Sequence, residues 1–451
     1  MKTSNYSVLM PAGKNYILYN CRTDVMVQVD NRLAELYQKN ETDLERIADA
    51  APDFFEYLSS NGFIVEDDFD EQKQIIDYWK EDDENSEELL VTINPTMNCN
   101  LRCWYCYEEH GKKSKMEQST VDAVISYLQK QVAGGRFKSI ALTFFGGEPL
   151  LYFSQVVQPI LEQIKKIGTD KVNWTLHFTT NATLLTKEIA EYLQPWYPSF
   201  QITIDGNEFI HNIVKTMGKN KPGTYRMTIG HIRMLLQMRM KVAIRFNYTA
   251  KTLERFIDVL TDLKGFSDEE REYCNVAFFR VWQDKKSDDE KSLEEKLDFL
   301  ESAFRSAGFH VIGQTTRLVG RCYADRDNSI VINYDGMVYK CTAREFNQKN
   351  CEGRLIEDGN IEWNSRYEQR RQVRYCNETC RSCILLALCH GGCSQNKLES
   401  PEVGCLMGYS EEDKMELHPS AHQGHLCGTD KKSRSQEKER SIIKTKRVII
   451  L

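Results

Sequence analysis

Fifteen cysteines are spread unevenly over the 451 residues. Cys99, Cys103 and Cys106 stand together in NPTMNCNLRCWYCYEEHG, ten more lie between Cys322 and Cys427, and Cys21 and Cys274 stand alone. In a reducing compartment, thiolates grouped at short spacing are metal ligands rather than disulfide partners, and the odd total also argues against complete pairing. Three thiolates from one loop suit three irons of a 4Fe-4S cube and leave the fourth iron without a protein ligand. The spacing also suits a zinc loop with a further ligand such as His110. In the later block, Gly336 and Cys341 form a G-x4-C element within an apparent hairpin that turns at YDG. Cys380-x2-Cys383-x5-Cys389-x3-Cys393 follows, and then Cys405. A four-thiolate zinc ribbon would use the same ligand types but not the hairpin.

The elements that must position these groups follow a simple rhythm. From Leu89, apolar strand candidates (LLVTIN, SIALTFF, WTLHFTT, FQITID, VAIRFNY, NVAFFRVW) alternate with amphipathic helical patterns. Six β-α units require parallel strands with helical crossovers, in an open doubly wound sheet or a barrel, with ligand-binding residues at the C-terminal strand ends. Residues 1–65 read as a separate unit of short strands, helices and a closing GFIVED. Residues 66–88 carry 12 acidic and two basic side chains and read as a solvated linker or helix face. After about residue 310 the alternation gives way to Cys and turn residues, the pattern of a metal-organised module. The tail, 429–451, is basic, with eight basic and two acidic residues between Lys431 and Arg447, and is expected to be flexible or to dock on an acidic surface.

Net charge is -7, so no general nucleic-acid binder is indicated. No apolar run is long enough to span a bilayer, and the N-terminus lacks the apolar stretch of a signal peptide. The chain reads as soluble and cytoplasmic.

The motifs at the strand ends resemble those of the radical S-adenosylmethionine (AdoMet) superfamily. Its C-x3-C-x2-C loop has an aromatic residue before the last Cys, here Tyr105. The second strand ends in the family's GGEP motif at Gly146, Gly147, Glu148 and Pro149; glycines permit close backbone approach, and Glu148 can accept a hydrogen bond from an ammonium group. Thr180 and Asn181 resemble the ribose-contacting Thr-Asn-Gly, with Ala182 in place of Gly. ITIDGN resembles the Ser-x-Asp-Gly stretch of the peptide-modifying branch, with Thr203 supplying the hydroxyl. Lys215 stands where that branch often has an Arg for the cofactor carboxylate, with the charge but not the bidentate fork. The resemblance implies a partial (β/α)6 TIM-type barrel over 89–310 and cleavage of AdoMet to a 5'-deoxyadenosyl radical that abstracts hydrogen from substrate.

The later cysteines resemble the SPASM extension, here 311–428, which implies two auxiliary 4Fe-4S clusters and three clusters in all. By that analogy Cys322, Cys341 and Cys393 serve the first, open at one iron or closed by Cys351 or Cys376. Cys380, Cys383, Cys389 and Cys405 serve the second, with Cys427 as the alternative last ligand. Residues 1–65 resemble in pattern the PqqD-like winged-helix element that binds leader peptides by strand addition. The expected function is a peptide maturase acting on a ribosomal precursor with a leader segment, installing a crosslink such as a thioether or another modification. An external donor such as flavodoxin or ferredoxin would supply electrons. The alternatives are an anaerobic sulfatase-maturating enzyme, in which an Asp would occupy the position of Thr342, and a non-catalytic iron-sulfur or zinc scaffold.

Overall fold

The computed structural model describes residues 1–414 and 449–450, apart from 112, 169–170, 219–221, 285–288, 314–321, 374–376 and 403. Two compact units divide these residues. One comprises Met1–Asn85, Cys322 and the described residues from Gln369 on; the other comprises Ser86 to the residues before Gln314, and Tyr323–Glu368.

The first unit begins with β1 (Lys2–Thr3), β2 (Ser7–Ala12), β3 (Asn15–Asn20) and β4 (Val25–Val29). The helices α1 (Asn31–Lys39), α2 (Leu44–Ala50) and α3 (Pro52–Ser60) and the strand β5 (Ile64–Val65) follow. β2, β3 and β4 form an antiparallel meander, and β5 pairs with β1. Alternation in β4 buries Val25, Val27 and Val29 against Ala34, Ile47, Phe54 and Leu58 of the three helices. The helical pattern of 43–60 breaks at Pro52, which starts α3 where a missing N–H costs nothing.

The acidic run is not a bare linker. It contains α4 (Glu71–Glu84), capped by the Asp70 carboxylate, which accepts from Lys73 N at 2.9 Å. Ile75 and Trp79 on its buried face pack with Tyr6, Tyr19, Cys21 and Leu386. An i, i+4 apolar pair was enough to give the helix a packed side in spite of its charge.

The second unit is built on β6 (Glu88–Ile93), β7 (Ser139–Phe144), β8 (Asn173–Thr180), β9 (Ser199–Ile204), β10 (Lys241–Tyr248) and β11 (Cys274–Arg280). These six strands are parallel, and each pairs with its sequence neighbour. The crossovers contain α5 (Gln118–Ala133), α6 (Gln158–Ile167), α7 (Lys187–Leu193), α8 (Glu208–Val214), α9 (Tyr225–Gln237), α10 (Phe256–Leu263) and α11 (Asp268–Glu272). α12 (Glu290–Ser306) leads to β12 (His310–Val311), which pairs with β11. Every second residue of the main strands, such as Leu89, Val91 and Ile93 or Phe200, Ile202 and Ile204, lies in the helix-covered core. The intervening residues, among them Thr143, His177, Gln201, Thr203 and Arg245, line a cavity on the other face.

The hairpin β13 (Ser329–Ile332) and β14 (Met337–Tyr339) does not belong to a separate cysteine module. β13 pairs in parallel with β6, and β15 (Gly353–Leu355) and β16 (Ile361–Trp363) continue the same sheet, which reaches eleven strands. Every side chain of β13 is buried, which an isolated module could not arrange. The chain then runs through α13 (Ser365–Val373), α14 (Glu378–Arg381), α15 (Leu386–Cys389) and α16 (Ser394–Glu399). The expected 311–428 domain is therefore divided: its hairpins join the barrel sheet, and its later cysteines join the N-terminal unit. Of the tail, Ile449–Ile450 forms β17, which adds to β4 in parallel register. No helix among the described residues is long and apolar enough to cross a membrane.

Candidate active site

Cys99, Cys103 and Cys106 lie in the loop after β6, and that loop is fastened to the end of β7. Gly147 N donates to Thr96 O and Glu148 N to Asn98 O, each at 3.0 Å. A Cβ at Gly147 would lie 2.3 Å from Asn98 O, and one at Gly146, where φ is +98°, would lie 2.5 Å from Thr96 O. The two glycines thus let strand end and cysteine loop meet backbone to backbone.

Glu148 is fully buried, and burial raises its pKa despite the hydrogen bonds it receives. Its carboxylate accepts from Leu150 N at 3.1 Å, Thr180 Oγ1 at 2.7 Å and Asn181 N at 2.9 Å, tying the ends of β7 and β8 together. Asn181 Nδ2 donates to Asn100 Oδ1 at 2.9 Å and to Cys99 Sγ at 3.7 Å, so this side chain also turns to the cysteine loop. Ala182 takes φ +61°, the left-handed conformation for which Gly is the usual residue.

Tyr105 Oη donates to Asp205 Oδ1 at 2.5 Å, and Lys215 Nζ lies 3.7 Å from Asp205 Oδ2. Asp205 and Lys215 are buried, and Tyr105 is half-buried. Desolvation pulls the Lys215 pKa down, but Tyr105, Asp205, Cys103 and Cys99 outweigh it, and the ammonium is held charged well above its ordinary range. Asp205 lies within ITIDGN, where the motif gave a role to Thr203 alone; its signal was the motif's Asp position directly after a strand. Burial pushes the Cys99 thiol up to about 12 and the Cys106 thiol to about 11 in the cluster-free chain. Glu108, buried on the same loop, is pushed up to about 8 by desolvation.

These residues surround a cavity of about 640 Å³ over the C-terminal strand ends, lined by Cys99, Cys103, Tyr105, Cys106, Gly146, Gly147, Thr180, Asn181, Thr203 and Lys215. Its wall continues to Arg245, Arg280, Trp282, Tyr323 and Thr342. Trp282 stacks on Tyr107 at 5.5 Å, and Tyr107 Oη donates to Thr342 O at 2.7 Å. His110 also lines the cavity, with Nδ1 3.2 Å from Met97 O.

In the other unit, Cys380, Cys383, Cys389 and Cys405 surround a second, small cavity together with Leu386, Leu406 and Lys414. Burial, and then the neighbouring Cys380, push the Cys389 thiol up to about 11. Asn377 Nδ2 donates to Cys380 Sγ at 3.2 Å and to Gly404 O at 2.9 Å, a contact that would steady a thiolate. Cys341 belongs to the barrel unit, whereas Cys322 and Cys393 belong to the other. Cys351 is buried with Val331 and Tyr339, and its thiol donates to Gly353 O at 3.1 Å. Cys376 and Cys427 lie outside the described residues. Cys21 and Cys274 are buried, and Cys21 donates to Ile384 O at 2.7 Å. Among the described residues no three His, Cys, Asp or Glu side chains converge to hold a single ion; an iron-sulfur cube holds its thiolates apart at its corners. Three thiols on one loop, a buried ammonium beside them and an amide donating to one sulfur fit such a cube and a carboxylate-bearing cofactor.

The six parallel strands thus carry a three-cysteine loop at the first strand end, beside a cavity over the strand ends. Residues 93–270 match the model of the Radical SAM superfamily. The radical SAM cyclopropyl synthase TigE of Paramaledivibacter caminithermalis is 26% identical over 217 residues, 41% of this chain and 44% of TigE. This chain therefore matches less than half the length of that relative. A cysteine-type anaerobic sulfatase-maturating enzyme of Clostridium novyi is 23% identical over 344 residues, 68% of this chain and 88% of that enzyme. The fold is shared with anSMEcpe bound to AdoMet and the Cp18Cys peptide, at a TM-score of 0.57 and 18% identity, over 75% of this chain and 98% of that one. Residues 93–270 thus carry the sequence of a Radical SAM domain, set in a fold shared with that AdoMet-bound structure.

Proposed function

We propose that the chain is a peptide maturase that abstracts hydrogen from one residue of a ribosomally made precursor and installs a crosslink, of which a thioether is one form, or a related modification. The observation that carries this reading is the edge of β4. It ends an antiparallel sheet and takes a further extended segment, as Ile449–Ile450 do opposite Val27 and Gln28. Strand addition binds any extended peptide through its main chain and leaves selectivity to side-chain pockets. The large cavity over the strand ends supports the same substrate class, having room for a side chain with its flanking backbone.

In this reading Cys99, Cys103 and Cys106 hold the catalytic cluster. With AdoMet it supplies the one-electron chemistry for hydrogen abstraction. Lys215 meets the cofactor carboxylate, and Tyr105, Gly146, Gly147, Thr180, Asn181 and Thr203 shape the remainder of the cofactor site. Glu148 fixes the strand ends that carry these groups. Trp282 and Tyr107 stack to form an aromatic rim of the cavity. Cys380, Cys383, Cys389 and Cys405 hold an auxiliary cluster. A flavodoxin or ferredoxin delivers the electrons.

The test is anaerobic reconstitution with AdoMet and reductant, followed by incubation with candidate Cys-containing precursor peptides. Reduction should release 5'-deoxyadenosine, Cys103→Ala should abolish that release, and the peptide should change in mass. Abundant 5'-deoxyadenosine with an unmodified peptide would remove the maturase reading and leave the radical chemistry. Formylglycine formation on a sulfatase is the second reading, favoured by the extent of the Clostridium novyi match. Thr342, whose hydroxyl lies 2.6 Å from Tyr323 Oη, offers no carboxylate base there. A Cys-containing sulfatase peptide left unoxidised separates the two.

A further inference from the structure

We propose that Asp205 is a positioning residue that aims the Lys215 ammonium into the cavity and joins it to the cysteine loop. The inference rests on the reading of Lys215 as the contact for the cofactor carboxylate, and adds what directs that contact.

Asp205 directly follows β9. The chain then turns at Gly206 (φ +131°), starts α8 at its Asn207 cap, whose side chain accepts from Ile210 N at 3.1 Å, and returns with Lys215 at the helix end. This short excursion brings its two ends together, with Asp205 Oδ2 3.7 Å from Lys215 Nζ. Lys215 lines the cavity and Asp205 does not, so the carboxylate backs the ammonium from the protein side.

Both side chains are nearly inaccessible to water, at 2% and 6% exposure. Among the described residues Asp205 Oδ2 has no hydrogen-bond partner and is faced by Lys215 Nζ at 3.7 Å and His211 Nδ1 at 3.8 Å, while Oδ1 is taken by Tyr105 Oη at 2.5 Å. His211 does not compete as a cation. Its Nδ1 accepts from the Asp205 amide at 3.4 Å, and burial and then Lys215 hold the ring well below its usual range, in the neutral form. One carboxylate therefore faces both the aromatic side chain of the cysteine loop and the cavity ammonium. A guanidinium carries its own rigid fork, whereas an ammonium on a four-carbon stem has no preferred direction and takes it from a buried partner.

The test uses the full chain, anaerobically reconstituted, with AdoMet affinity measured by calorimetry and iron measured per chain. Lys215→Gln should weaken AdoMet binding by about tenfold or more, the usual loss for a charge-assisted hydrogen bond. Asp205→Asn should weaken it by a comparable factor with iron unchanged, because the new amide turns a donor towards the ammonium. It should also diminish the change that AdoMet causes in the electron paramagnetic resonance spectrum of the reduced cluster. The double variant Asp205→Asn/Lys215→Gln should bind no worse than Lys215→Gln alone, since Asp205 acts through Lys215. Multiplicative losses in the double variant, or normal affinity in Asp205→Asn, would overturn the inference and leave the Lys215 reading standing. Normal affinity in Lys215→Gln would overturn both. If Asp205→Asn fails to retain iron, Asp205→Glu, which keeps the charge and shifts its position, is judged by the same criteria.

Discussion

Glu108 and Glu148 are buried carboxyls of one site with opposite surroundings. Glu148 accepts three hydrogen bonds, while burial alone raises Glu108 to about 8. For Glu108 the folded chain keeps a proton that the unfolded chain loses near pH 4.5. Its contribution to stability is therefore complete below that pH and is lost as pH rises through about 8. Glu108→Gln should leave the urea midpoint of the cluster-free chain nearly unchanged at pH 4.5. At pH 8.5 it should raise stability by about 3–5 kcal/mol, the ceiling set by the shift. An equal change at both pH values would show that the effect is packing rather than charge. Glu148→Ala should destabilise at every pH, by about 3 kcal/mol or more, because a hydroxyl and two amides lose their acceptor. At this scale the cysteines and Glu148 were legible because spacing and motif mark them. Asp205 and Glu108 were not, because their importance lies in burial and in partners far along the chain.

The elements repeat the lesson with different physics. The period-2 runs named all six main strands, since a strand with one face in a helix-covered core must alternate. Where β13 would pair was invisible, because periodicity specifies a face and never a partner; the SIVI run could equally have formed a small cysteine-rich module. The helix in the acidic run was concealed by its charge, although Ile75 and Trp79 are spaced for one buried face. The junction of β7 and the cysteine loop yields a test at this scale. Gly147→Ala would place a methyl within 2.6 Å of the Met97 and Asn98 carbonyl oxygens, both backbone atoms that cannot rotate away. The loop must move, and the reconstituted chain should lose about four irons, one cube, while retaining those of the auxiliary sites. Undiminished iron would mean that the loop tolerates separation from β7.

At the scale of the whole molecule, cysteine count and β-α rhythm yielded the barrel and the two cysteine-rich regions, while the assignment of segments to compact units followed burial. The N-terminal sheet and α4 share a unit with Cys380, Cys383, Cys389 and Cys405, and Trp79 stacks on His390 at 4.5 Å. Deleting residues 1–65 would strip that packing as well as any peptide site, so peptide recognition is better tested at the edge of β4. An edge strand leaves a row of amides and carbonyls open to pairing, and β17 pairs there at Val27 and Gln28. A peptide that adds to β4 must therefore displace the pair Ile449–Ile450. Removing residues 446–451 should speed hydrogen exchange by about tenfold at the β4 amides that face β17 around Val27 and Gln28, while leaving the β4 amides bonded to β3, and β2 and β3 themselves, unaffected. The same truncation should tighten binding of a precursor peptide that the chain modifies, because the fraction of chains with an open edge rises. Faster exchange without tighter binding would place the peptide elsewhere. Unchanged exchange would mean that β17 does not hold the edge in solution.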